Sequence, residues 1–163
     1  MRSRSLRIVL PFAIAIWLAV PSTASADLTG FLGVNFTPTN RTVAGGAVGF
    51  GLVIVGFEFE YAHNGEDNLR AAPDLRTFMF NGLLQTPFPI AGLQFYGTIG
   101  GGVYHEVLFD VSETNVGMNV GGGVKMSLIG PLRLRFDYRV FNLSGDARHS
   151  KPQRFYAGVN VKF

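Results

Sequence analysis

The sequence predicts an all-β protein, an eight-stranded antiparallel up-and-down transmembrane β-barrel, and three observations carry that reading. Apolar and polar residues alternate with period 2 through most of the chain after residue 26, which is the mark of strands with two unlike faces. Charge gathers on the face opposite the large apolar side chains, so Glu58, Glu60, Arg135, Asp137, Arg139 and Arg154 point where a soluble protein would put its core. No stretch after residue 26 is long and apolar enough for a membrane helix, although only 15% of the chain is charged and 13% is aromatic. A chain that spans a membrane without helices has to close a barrel, because hydrocarbon offers no partner to a free backbone group.

The first 26 residues stand apart. Arg2, Arg4 and Arg7 precede an apolar run from Ile8 to Val20, followed by Pro21 and the small residues Ala24, Ser25 and Ala26. This order predicts a signal peptide over 1–26, cut before Asp27, and a barrel domain over 27–163. A membrane helix needs about 20 apolar residues, and this run has 13, with Pro11 among them. Three of the 14 Lys and Arg fall in the segment and none of the 11 Asp and Glu, so the remainder carries equal numbers of each sign. The basic pI is therefore no argument for nucleic acid. With no cysteine in the chain, disulfides, a thiol nucleophile and thiolate metal sites are excluded.

The strands follow in order. Leu28, Leu32, Val34 and Phe36 share one face of a first strand over 27–36, and Pro38 and Asn40 break the pattern. Ala44, Val48, Phe50 and Leu52 lie on one parity and Val55, Phe57, Phe59 and Tyr61 on the other, so a tight turn falls near 52–54. A single bulged strand is the alternative there. A polar loop over 64–73 leads to a strand over 74–84, oriented with Asn81 inward to keep its amide out of lipid. A turn with Pro87 and Pro89 leads to a glycine-rich strand over 93–105, a loop over 106–114 follows, and the next strand occupies 115–127. After Gly130 and Pro131 comes a strand with Leu134, Phe136, Tyr138 and Val140 outward, then a last loop over 144–152. Gly100 to Gly102 and Gly121 to Gly123 sit inside alternating runs with no helix after them, so they are read as relief of crowding rather than as a phosphate loop. Long connections alternate with generally shorter ones, which places both termini at the periplasmic end.

The chain closes with Phe155, Ala157, Val159, Val161 and Phe163 alternating against Arg154, Tyr156, Gly158, Asn160 and Lys162. In this it resembles the small outer-membrane β-barrel family that includes OmpX and the membrane domain of OmpA. The resemblance implies residence in the outer membrane of a Gram-negative bacterium and contact with its lipids and lipopolysaccharide. It also implies recognition of Phe155, Val159, Val161 and Phe163 by the barrel-assembly machinery. Because the sequence stops where the barrel does, no wall-tethering role is carried over.

The inward charges are expected to divide by depth. Lys125, Arg133 and Lys162 lie toward the periplasmic end, where water or headgroups solvate them. Glu58, Glu60 and Asp137 lie deeper against Arg135, Arg139 and Arg154, an ion-pair network in a lumen that eight strands leave only wide enough for side chains. A secreted lipocalin would invert the faces, but it leaves the terminal Phe unexplained.

His63, His105 and His149, with Glu106, Asp146 and Ser150, collect at or beyond the outer strand ends. They are the raw material of a triad or a metal site, and some family barrels act on lipid A. The lipid A deacylase places His-x-Ser on one strand, whereas His149 and Ser150 are adjacent in a loop, so the match fails. No His pair at i, i+2 or i, i+4 supports zinc. The loops mix charge: Arg41, Glu66, Asp67, Arg70, Glu106, Asp110, Glu113, Asp146, Arg148 and Lys151. They offer basic groups to lipopolysaccharide and a surface to an extracellular partner, while Val107 to Phe109 are read as continuing a strand. The expected function is a structural or surface-interaction barrel with a plugged polar lumen, without catalysis, cofactor or metal. The competing readings are a lipid A-modifying enzyme and a small pore.

Overall fold

A computed structural model describes residues 25–67, 69, 72–109 and 111–163. The signal peptide expected over 1–26 lies outside the described residues up to residue 24, as do Arg70 and Asp110. Among the described residues the chain forms β1 (Ser25–Asn35), β2 (Arg41–Gly51), β3 (Val55–Asn64), β4 (Asp74–Gln85), β5 (Leu93–Leu108), β6 (Val111–Ser127), β7 (Leu132–Leu143) and β8 (Gln153–Lys162). Each strand pairs antiparallel with the next, and β8 returns to β1, so the sheet closes as the sequence predicts. Closure leaves no free edge along the shared register. Leu28 pairs with Val48 on one side and Val161 on the other, so one residue fixes which faces of three strands agree.

The turn near residue 53 is a true hairpin, closed by the Leu52 N–H to the Val55 carbonyl at 2.8 Å, and the bulged-strand alternative falls. The third outer loop differs from expectation. The ladder of β5 and β6 runs on through Glu106↔Glu113 to Leu108↔Val111, so most of the loop expected over 106–114 is strand; Val107 and Leu108 continue β5 as read, and Phe109 stands just past its end. The two strands are 16 and 17 residues long, against the roughly 9–11 a barrel strand needs to cross hydrocarbon. Their hairpin therefore projects beyond the apolar band. Polarity had marked this stretch as loop, but cross-strand pairing of Glu106, Ser112, Glu113 and Thr114 outweighs it.

Outward residues are apolar and open: Leu32 is 66% exposed, Ile99 62% and Val120 56%. On β2, β3 and β4 they form an aromatic ladder, Phe50 on Phe57 at 5.5 Å, Phe59 on Phe80 at 4.9 Å and Tyr61 on Phe78 at 5.5 Å between ring centroids. Inward residues are closed. Toward the loop-bearing end they include an apolar cluster of Leu75, Met79, Tyr104, Phe141 and Leu143, and a second of Phe31, Val43, Ala62 and Tyr156. On the inner wall of β5 and β6, Gly100 and Gly102 lie close against β4 at Asn81 and Met79, Gly121 close against Arg139 of β7, and Gly123 close against β7 backbone and the Tyr96 ring.

Candidate functional site: a charged lumen and a polar collar

Period-2 alternation carries Glu58 and Glu60 of β3, Arg135, Asp137 and Arg139 of β7, and Arg154 of β8 to the inside, and none is more than 1% exposed. The register sets them within reach of one another. Both Nη atoms of Arg135 meet the Glu58 carboxylate, one through Oε2 and the other at 3.2 Å from Oε1, a forked contact that suits the planar guanidinium. Its Nε donates to the Tyr96 hydroxyl at 2.7 Å, and Tyr96 donates to Asp137 at 2.5 Å. Arg139 donates from Nε to Asp137 at 2.8 Å and from Nη2 to Glu58 at 2.8 Å. Its Nη1 lies 3.1 Å from Glu60 Oε2, an ion-pair contact too poorly angled to be a hydrogen bond. Arg154 donates to Glu60 at 2.9 Å and to the Thr77 hydroxyl at 3.0 Å, and its guanidinium carbon sits 4.5 Å from the centroid of Phe141.

The structure thus brings all six charges into one connected group, equal in acids and arginines. Two participants were not singled out from sequence, Tyr96 and Tyr156. Each is an inward tyrosine whose hydroxyl must find a partner once buried, and Tyr156 donates to Glu60 at 3.4 Å.

Toward the chain termini the lumen ends in a cavity of about 180 Å3 lined by Asp27, Glu58, Lys125, Arg133 and Lys162, among others. Lys125 departs from the solvated state expected for it. It is 4% exposed, and its Nζ lies 2.6 Å from Asp27 Oδ2, because β1 across the lumen supplies a carboxylate that water would otherwise replace. Arg133 donates to Gln94 at 3.1 Å.

Outside, just above the aromatic ladder, runs a polar collar. His63 pairs in register with Arg76, Arg76 with His105, and His105 with Thr114. His63 Nε2 lies 2.6 Å from Asp74 Oδ2, the Arg76 Nε donates to Asp74 Oδ1 at 3.1 Å, and His105 Nδ1 lies 2.7 Å from Thr114 Oγ1. Sequence reading found nothing to fix these imidazoles on rigid elements; the register does so. The collar still divides what a hydrolase joins. His63 has an acid and no hydroxyl partner, and His105 has a hydroxyl and no acid partner, among the described residues. His149 lies in the last loop, where partial burial and the positive charges of Arg148 and Arg41 push its proton affinity down. No three or more His, Asp or Glu converge as a metal site among the described residues.

At the loop mouth Glu113 accepts the Asp146 N–H at 2.7 Å, and Glu106 accepts the Arg148 N–H at 3.3 Å. Between them and the projecting hairpin lies a cavity of about 230 Å3. At the other end Phe163 is 75% exposed, with its N–H on the Ala26 carbonyl at 2.8 Å. Phe155 and Val159 share its outward face.

A barrel of this geometry has known counterparts. The β-barrel domain of OprF from Pseudomonas aeruginosa superposes with a TM-score of 0.65 at 16% identity, over 85% of this chain and 97% of that one. Neisserial surface protein A gives 0.64 at 15% identity, over 86% and 96%. The outer membrane enzyme PagL gives 0.53 at 9% identity, over 83% and 98%. At such identities the likeness is one of fold. No curated protein sequence matches the chain. The sequence model of the outer membrane protein beta-barrel domain, however, matches residues 15–163. With closed eight-strand topology and an outward apolar band, that match makes the chain a member of the outer membrane protein beta-barrel family, resident in the Gram-negative outer membrane.

Proposed function

We propose that the protein is a structural or surface-interaction barrel whose lumen is plugged by its own side chains. The observation that carries this reading is the burial of Glu58, Glu60, Arg135, Asp137, Arg139 and Arg154 in one ion-paired group at the centre of the barrel. Three guanidinium groups held by three carboxylates in a space eight strands barely enclose leave ions no wide path. The apolar residues Met79, Tyr104, Phe141 and Leu143 close the passage again toward the loops. The role then falls to the outside: lipopolysaccharide and other outer-membrane lipids around the wall, and an extracellular partner at the loops and the projecting β5–β6 hairpin. Phe155, Val159, Val161 and Phe163 serve the barrel-assembly machinery during insertion. Planar-bilayer recording from purified monomer at neutral pH tests the plug. Baseline current is the expected result, and stable large conductance makes the protein a pore.

Action on lipid A is the second reading, favoured by the His63–Asp74 contact on the outer wall. It lacks a nucleophile held by the same imidazole. Lipid A mass spectra from cells with and without the protein decide between the two, and an unchanged profile sinks the enzyme.

A further inference from the structure

We propose that His63, Arg76 and His105 form the phosphate-binding edge of a seat for one phosphorylated glycolipid of the outer leaflet. The three stand side by side on adjacent strands, facing outward in direct register, so at the ordinary strand spacing they span roughly 10 Å. Arg76 spends only its Nε on Asp74, leaving both Nη groups without a protein partner among the described residues, and its side chain is 54% exposed. Among the described residues, Nδ1 of His63 and Nε2 of His105 have no partner, because each ring commits its other nitrogen to Asp74 or Thr114. Asp74 orients His63 and Arg76 together while its side chain stays at 17% exposure, so an approaching anion meets the guanidinium before the carboxylate. A planar fork with two free amines suits a phosphate.

The occupant is fixed by what lies beneath. One residue pair below His63 and Arg76 is the Tyr61–Phe78 contact, and below that the Phe59–Phe80 contact. These rings hold the row at the boundary between hydrocarbon and water and give acyl chains a surface directly under the phosphate. A soluble phosphate would use the row and leave the rings empty; a phosphorylated glycolipid uses both. The seat rests on the preceding reading, which makes the loop-bearing end the outer one.

The test is native mass spectrometry of the folded protein in detergent with bisphosphorylated lipid A, dephosphorylated lipid A or inorganic phosphate. Wild type should bind bisphosphorylated lipid A about tenfold more tightly than the dephosphorylated form, the loss of one or two charge-assisted hydrogen bonds. Arg76→Gln and the double variant His63→Ala, His105→Ala should each lose a similar factor, and Arg76→Lys should lose less. Asn142→Ala, outward on β7 away from the row, should bind as wild type does, and excess inorganic phosphate should not displace the lipid. Equal binding by Arg76→Gln, equal binding of the dephosphorylated lipid, an equal loss in Asn142→Ala, or displacement by inorganic phosphate overturns the seat. Orientation is read separately by labelling Ser150→Cys on intact cells with an impermeant maleimide. Failure to label overturns the outward reading of the loops, whereas a failed lipid result with normal labelling overturns the seat alone.

Discussion

Gly121 and Arg139 face each other across the β6–β7 pair with no room for a side chain between them. A β-carbon on Gly121 would fall 2.2 Å from the Tyr138 carbonyl oxygen and 2.9 Å from Cγ of Arg139. Neither can yield, since one is ladder backbone and the other is held by its acids. Gly121→Ala should therefore cost about 1–3 kcal/mol through overpacking. Gly30→Ala, outward on β1 with nothing within 4 Å, should be near neutral. Urea unfolding in vesicles, followed by the heat-dependent shift in gel mobility, gives both numbers.

The lumen network predicts a second pair of results. Removing one member of a buried ion pair leaves a charge without compensation and costs about 3–5 kcal/mol. Glu58→Ala leaves Arg135 with Asp137 as its one remaining carboxylate and takes one of three from Arg139, while Arg139→Ala removes a counterion shared by Asp137, Glu58 and Glu60, which keep only Arg135 or Arg154. Each should lower the urea midpoint, and the double variant should lose less than the sum. Val120→Ala, at 56% exposure on the outer wall, controls for generic disruption. Wild-type midpoints in both charge variants would mean that water screens the lumen.

Deleting Phe163 should lower outer-membrane yield in cells. The residue is 75% exposed, and its N–H bond is to Ala26, a residue the expected cleavage removes, so the folded barrel loses little without it. A pulse-chase of insertion should slow while the urea midpoint of purified protein holds. Unchanged insertion kinetics would remove this residue from the assembly signal.

Acid should loosen the last loop. The folded state depresses the proton affinity of His149 by partial burial and by Arg148 and Arg41. As pH falls through the ordinary value of 6.5, the opened loop binds a proton that the closed one resists, so closure is full above that value and weakens below it. Hydrogen exchange at Leu143 and Arg148, whose N–H groups bond Ser150 and Glu106, should quicken on acidification after correction for intrinsic rate. In His149→Ala this acid dependence should flatten.

Strand faces were legible in the sequence because their period is 2 and a shift of one residue would put Glu58, Arg135 or Arg139 in lipid. The inward choice for Asn81 followed from the same cost, and the residue is fully buried on Asn119 at 2.8 Å. Depth was less legible. Lys125 carries no mark in sequence of its contact with Asp27, 98 positions away, since that contact depends on barrel closure. Of the extended β5–β6 hairpin only Val107 and Leu108 were legible as strand; Glu106 and the start of β6 were not, because polar residues outside the membrane cost a strand nothing and alternation against lipid no longer reports them. The collar escaped for a similar reason: Asp74, Arg76 and His63 come together through the β3–β4 register, which polar loop residues between them conceal.

Two of the three acids in the lumen network come from an early strand and all three of its arginines from the last two. Glu58 and Glu60 enter with β3, and every arginine that meets them arrives with β7 or β8. The first six strands thus hold Glu58 and Glu60 without the arginines that pair them, and the last hairpin supplies those in the same movement that joins β8 to β1. Closing the wall and discharging the interior are one event. A sheet sealed without β7 and β8 would leave Glu58 and Glu60 without those arginines, a cost that favours the complete seam over a premature one.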